Sequence, residues 1–215
     1  MQFNTYTAAG AKIACWLVNH PEPGASELGR VLAGYDVHDP EPTSAQARRL
    51  RPWARRLRAV FEAAEVADKA ALADALLVAA HCSPRLVSHG PGLPFHLHYA
   101  PVRTGLTARV QAFTAAGLAH LIDSGHGGRL RACERDGCPT AFIDTSRNGR
   151  RRYCSIRCAN QVNVARHRAQ TAKPSQPKEA PTESHRTGTQ TTPAPSRNTA
   201  PRPGSTVLSS RPDRT

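Results

Sequence analysis

The spacing of four cysteines constrains this chain more than any other feature. Cys133-x4-Cys138 is followed, after fifteen residues, by Cys154-x3-Cys158. Two close pairs that a small fold can bring together supply four soft donors for a tetrahedral zinc ion. Four thiolates close the coordination sphere, so the expectation is one structural Zn2+ and no catalytic ion with a water-filled position. Cys15 and Cys82 stand alone, in or at the end of helical apolar patterns, and read as small buried residues.

The residues between the pairs support that geometry. Ala141-Phe142-Ile143-Asp144 and Arg151-Arg152-Tyr153 are predicted to form two strands, joined across the Asn148-Gly149 turn dipeptide. Ser155 then caps a helix, with Cys154 just before it and Cys158 in its first turn. A loop pair, a hairpin and a pair at a helix start make a treble-clef or zinc-ribbon-like finger over residues 129–170.

The preceding residues, 1–128, read as a mainly helical α+β domain. Ala9, Ile13, Leu17 and Val18 recur at helical spacing over residues 5–19. Over 43–65, Thr43 and Gln46 form a capping box, and Leu50, Trp53, Ala54, Leu57, Val60 and Phe61 make one apolar stripe. Arg51, Arg55 and Arg58 fall on the other side, as a solvated face or a phosphate contact. Asp68 is expected to cap a helix to about 80, with Leu72, Ala75, Leu76 and Ala79 inward. Strands near 85–89 and 95–100 form a short hairpin, with Phe95, Leu97 and Tyr99 alternating with His96 and His98. Thr104 is expected to cap a long helix to about 122, ended by a hinge at Gly125, Gly127 and Gly128. The last segment, 171–215, holds eight Pro and fifteen Ser or Thr and no aromatic residue, a composition that predicts a disordered tail.

The net charge of +13 is concentrated late in the chain. Residues 131–170 carry nine Lys and Arg against three Asp and Glu, a surplus that survives the roughly −2 of a four-thiolate zinc complex and points to an anionic partner. Arg147, Arg150, Arg151 and Arg152 lie on or beside the predicted turn. On the following helix, Val162, Ala165 and Ala169 fall on the cysteine side, facing the metal. Asn160, Asn163 and His167 point away, flanked by Arg157 and Arg168, with Arg166 at the opposite edge. Asn, Arg and His reach base edges, and clustered Arg binds phosphate. The alternative is an ordinary polar helix surface.

These residues resemble the bacterial CGNR-type zinc finger. The resemblance rests on Cys133-Glu134-Arg135-Asp136-Gly137-Cys138, Phe142-Ile143-Asp144, Ser146-Arg147-Asn148 and Arg151-Arg152-Tyr153-Cys154-Ser155. It continues through Cys158-Ala159-Asn160 to Ala165-Arg166-His167-Arg168. In the Cys-Gly-Asn-Arg run that gives the family its name, this chain has Cys158-Ala159-Asn160-Gln161, so the four ligands carry over and a role for the family's Arg does not. In the family the finger commonly follows a stress-induced transcription-regulator (ABATE-like) domain, which residues 1–128 resemble. The resemblance implies a zinc-dependent, DNA-binding regulator whose N-terminal domain senses a small-molecule or protein effector or mediates assembly.

Two other functions fit the same residues: an RNA-binding protein, or a zinc-stapled protein-interaction module without nucleic-acid contact. Duplex DNA is favoured over RNA, because Tyr153 and Phe142 are the finger's only aromatic residues for base stacking. Enzymatic activity is not expected. Asn148, Asn160 and His167 invite comparison with treble-clef nucleases, but no histidine stands on the first hairpin strand to activate water. His96 and His98, joined by His89 or His81, read either as a metal-binding strand pair or as a polar strand face. No stretch approaches the roughly 20 apolar residues of a membrane span, and Met1-Gln2-Phe3-Asn4-Thr5 lacks a signal-peptide pattern. A cytoplasmic, nucleoid-associated protein without a membrane partner is the expectation.

Overall fold

Alanine and glycine let the first helix, α1 (Thr5–Asn19), lie unusually close to a second apolar helix, α6 (Leu106–Leu121). A Cβ on Gly117 would stand 2.4 Å from the Ala11 nitrogen and 2.5 Å from the Gly10 carbonyl carbon. A Cβ on Gly10 would stand 2.3 Å from the Phe113 oxygen. Backbone therefore meets backbone at this crossing, and only glycine fits on both sides. The computed structural model describes residues 5–35, 37, 39–88, 90–101 and 103–171. The predicted tail, apart from Thr171, lies outside the described residues, as does His89.

Around the α1–α6 pair pack α2 (Ala25–Ala33), α3 (Ser44–Arg49), α4 (Arg51–Glu62) and α5 (Val66–Ala79). Ala9, Ile13, Leu17 and Val18 of α1 are all buried, as their spacing requires. The expected capping box is present: the Thr43 hydroxyl accepts the Gln46 N–H, and the Gln46 side chain accepts the Thr43 N–H. The long helix predicted over 43–65 is two helices that break at Leu50. Pro52 has no N–H to continue the ladder and instead opens α4 within its first turn. The stripe from Leu50 to Phe61 is buried throughout, and Trp53 donates from Nε1 to the buried Thr114 hydroxyl at 2.9 Å.

Three local expectations are corrected. Helix α5 starts after Glu65, with Asp68 in its first turn and no side-chain cap; it buries Ala73, Leu76 and the stem of Lys69, while Ala75 and Ala79 face outward. The Lys69 ammonium donates to Val60 O and Ala63 O, tying off the end of α4. Helix α6 is preceded by Gly105, not capped by Thr104, whose hydroxyl donates to Pro101 O instead. The expected glycine hinge is corrected in part: Gly125, at φ 75°, kinks the chain after α6 as expected, whereas Gly127 is buried against Val66 and Ile122.

The first hairpin is as predicted in place and pairing. Strands β1 (Arg85–Val87) and β2 (His96–His98) are antiparallel, with Arg85 opposite His98 and Val87 opposite His96. A second antiparallel pair, β3 (Leu130–Ala132) and β4 (Ala141–Ile143), closes across the first cysteine pair, with Arg131 opposite Phe142. The last helix, α7 (Ile156–Thr171), follows the second cysteine pair. No helix among the described residues is long and apolar enough to cross a membrane.

Strands β3 and β4 pack on α1 and α4, where Leu130 and Ala141 join the main hydrophobic core. Asn19, at the end of α1, acts as a substitute strand edge for Ala141. Its Nδ2 donates to Ala141 O at 2.8 Å, and its Oδ1 accepts the Ala141 N–H at 2.9 Å. Arg58, read as part of a solvated or phosphate-binding row, is a clamp that donates to Val18 O and Pro139 O.

Candidate metal centre and nucleic-acid interface

The β3–β4 connection folds into a tight knuckle because Gly137, with φ 72°, turns the chain in a conformation side chains resist. Cys133 donates its N–H to Thr140 O, and Cys138 donates to Arg135 O, so both thiols project from one turn. The predicted partner strand at 151–153 does not form; the chain there is irregular and bends at Tyr153, and β4 pairs with β3 instead. The expected turn at Asn148-Gly149 is real, with Gly149 at φ 62°. It closes a loop, not a hairpin. The helix start matches expectation: the Ser155 hydroxyl accepts the Cys158 N–H at 3.2 Å, with Cys154 just outside α7 and Cys158 buried in its first turn.

The four sulfurs converge. All lie within 4.8 Å of one another, with separations of 3.8 Å for Cys138–Cys154, 3.6 Å for Cys154–Cys158 and 3.9 Å for Cys158–Cys138. Tetrahedral zinc with bonds of about 2.3 Å requires neighbouring sulfurs about 3.8 Å apart. The four cysteines therefore fit one structural zinc ion, which Cys133, Cys138, Cys154 and Cys158 would hold. Among the described residues no other group of three or more His, Cys, Asp or Glu converges in this way.

Neighbouring donors are arranged for sulfur anions. The Cys154 N–H points at Cys133 Sγ at 3.4 Å, and Arg135 Nε lies 3.3 Å from Cys158 Sγ. The Thr140 hydroxyl at 3.4 Å draws the Cys138 thiol well below its ordinary range, and Ser155 with Arg135 lowers Cys158. Desolvation, reinforced by Cys158 and Cys133, pushes Cys154 up. The cluster on its own thus does not favour four anions at once, and the two positive charges of zinc resolve that conflict. Cys15 and Cys82 sit apart, partly buried against the core, and burial pushes each thiol up to about 11.

Asp144 organises the basic loop beyond β4. Its carboxylate is fully buried, with Oδ1 accepting the Ser146 N–H at 2.9 Å and Oδ2 the Arg151 N–H at 2.8 Å. Burial pushes its pKa up, but hydrogen bonds from Ser146 and Arg151 outweigh that, and the net shift is downward. Arg129 braces the same loop from beneath, donating to Asp144 O and Ser146 O.

That bracing holds Arg147, Arg150, Arg151 and Arg152 exposed on one loop. Two of the four have structural work. Arg151 donates to Cys154 O and lies over the Phe142 ring, while Arg152 pairs with Glu134. Arg147, Arg150, Arg157, Arg166 and Arg168 have no side-chain partner among the described residues.

Helix α7 leaves the body sooner than its pattern suggests. Val162 is half-buried, but every residue from Asn163 to Thr171 is exposed, including Ala165 and Ala169, which were expected to face the metal. Arg157, Asn160 and Arg168 share one open surface with Ile156, Gln161, Val164 and Ala165. Asn163, Arg166 and His167 are exposed but stand outside it. Ile156, 80 % exposed, is apolar and so gives no sign in the sequence of a place on this surface, whereas Gln161 is polar and stands where the family has Arg. Arg135 and Asp144 lie inside the family-like motif, and spacing alone assigns neither of them its role.

Residues 129–171 match the family model of the CGNR zinc finger. The match spans the whole metal centre, the basic loop and α7, and begins one residue before β3. Comparison with curated proteins returned no match.

Proposed function

We propose that this chain is a zinc-dependent transcription regulator that binds duplex DNA through its CGNR-like finger and has no enzymatic activity. The observation that carries the proposal is the set of five arginines, Arg147, Arg150, Arg157, Arg166 and Arg168, exposed on the finger without a side-chain partner among the described residues. Unpaired cations held on a braced loop and an outstanding helix are the electrostatic footprint of a phosphate-binding surface. Helix α7, about 24 Å long at 1.5 Å per residue, is free over its second half to enter a major groove. On the open face that runs along its first half to Val164, Asn160 and Gln161 suit base edges, and the apolar Ile156 and Val164 suit thymine methyl groups.

Duplex DNA is preferred to single-stranded RNA because the finger presents no stacking platform. Phe142 is buried beneath Arg151, which leaves the half-buried Tyr153 alone. The helical remainder then receives an effector or mediates assembly, in a cytoplasmic, nucleoid-associated regulator of a stress response. Exposure of Ile156 and Val164 on one face also suits a protein-docking role.

The test is fluorescence anisotropy of the zinc-loaded chain with duplex DNA over a salt series, with single-stranded RNA as competitor. The expected result is binding at low salt that weakens steeply as salt rises and is poorly competed by the RNA. Absence of binding at low salt would overturn the proposal and leave protein docking.

A further inference from the structure

Strand β2 places His96 and His98 two residues apart, so both side chains stand on one face of the first hairpin. Their Nε2 atoms are 3.1 Å apart, and the rings are tilted by 51° with centroids 5.0 Å apart. His96 Nδ1 faces Pro94 O at 3.4 Å. A proton on Nδ1 satisfies that carbonyl and leaves the Nε2 lone pair aimed toward His98. Donation of the second ring N–H to a backbone carbonyl is the usual support of a metal-bound imidazole.

The separation suits a shared ion. Two nitrogens bound to one metal at about 2.0–2.1 Å stand roughly 3.3 Å apart at a tetrahedral angle and roughly 2.9 Å at a right angle. The observed 3.1 Å falls between these values. Both histidines are half-exposed, so an ion can arrive from solvent. The wall is not acidic: Arg85, opposite His98, donates to Ala100 O, and its charge works against a cation. His81 does not join the pair in a convergent group of three among the described residues.

We propose that His96 and His98 form a second metal site, a two-imidazole chelate for a late first-row divalent cation such as Zn2+, Ni2+ or Cu2+. Imidazole nitrogen selects these ions over Mg2+ and Ca2+, which prefer oxygen. Two protein ligands leave the other coordination positions to water or an external donor. The site is therefore weaker and more exchangeable than the four-thiolate centre, and independent of it.

The experiment uses the full chain loaded with one equivalent of zinc, which the cysteines retain. Ni2+ is titrated in by calorimetry, and Cu2+ is followed by its visible d–d absorption. The expected result is one further equivalent in the unaltered chain and at least tenfold weaker binding in both His96→Gln and His98→Gln, with finger zinc and thermal midpoint unchanged. Glutamine keeps a polar, hydrogen-bonding side chain, so the fold persists while the imidazole is lost. No further equivalent in the unaltered chain would show that the 3.1 Å contact is a hydrogen bond only. Equal binding by the unaltered chain and both variants would place the ion on other histidines. Either outcome overturns the proposal.

Discussion

Gly117 and Asp144 show opposite ways in which one residue fixes this fold. At Gly117 the determinant is space. Alanine is the better helix former by about 1 kcal/mol, yet its Cβ would meet Ala11 N and Gly10 C at 2.4 and 2.5 Å, and neither backbone atom can turn aside. Gly117→Ala should therefore destabilise the chain by about 1–3 kcal/mol, as overpacked cores do, measured as a lower urea midpoint. At Asp144 the determinant is charge. Its folded pKa is lowered, so its contribution is present above the ordinary value of 3.8 and is lost as pH falls through the lowered one. Asp144→Asn should cost about 1.5–3 kcal/mol at pH 7, in line with hydrogen bonds to charged groups. The stability gap between the two chains should then close as pH drops below about 4. A gap that stayed constant with pH would assign the cost to shape instead of charge.

Among elements, the finger divides into a part that the core holds and a part that only zinc holds. Strands β3 and β4 are anchored by buried Leu130 and Ala141 and by the paired hydrogen bonds of Asn19. The knuckle at 133–138 and the stretch from Arg152 into α7 have little apolar burial of their own. Chelation should remove amide protection from residues 133–138 and 153–171 while leaving 130–132 and 141–143 protected in hydrogen exchange. Loss of protection in all of these segments together would show that zinc also holds the strands. The same division explains what could be read in the sequence. The cysteine ligands, the Ser155 cap and the Leu50–Phe61 stripe were legible because each depends on spacing within one or two turns. The partner of β4 was not: Arg151-Arg152-Tyr153 has strand-like residues and a good turn before it. Leu130–Ala132 takes that place because Leu130 also fills the core. The break at Leu50 could have been found, since Pro52 is a local signal. The outward turn of Ala75 and Ala79 could not, because alanine fits either face of a helix and neighbouring helices decide.

For the whole molecule, the question is which arginines bind phosphate and which hold the protein together. They sit side by side in sequence, so charge counting cannot separate them, but contacts can. Arg147, Arg150, Arg157 and Arg168 have no side-chain partner among the described residues, whereas Arg151 holds Cys154 O beside the metal centre and covers Phe142. Replacing the first four with glutamine should leave zinc content and thermal midpoint unchanged. If each neutralises one phosphate, the slope of log K against log salt should become shallower by about 3–4, at roughly 0.9 per contact. Arg151→Gln alone should instead lower the thermal midpoint and change that slope by no more than about 1. Equal loss of stability in both variants would mean that the exposed arginines are part of the finger's own architecture. An unchanged slope in the fourfold variant would move the anionic partner away from this face altogether.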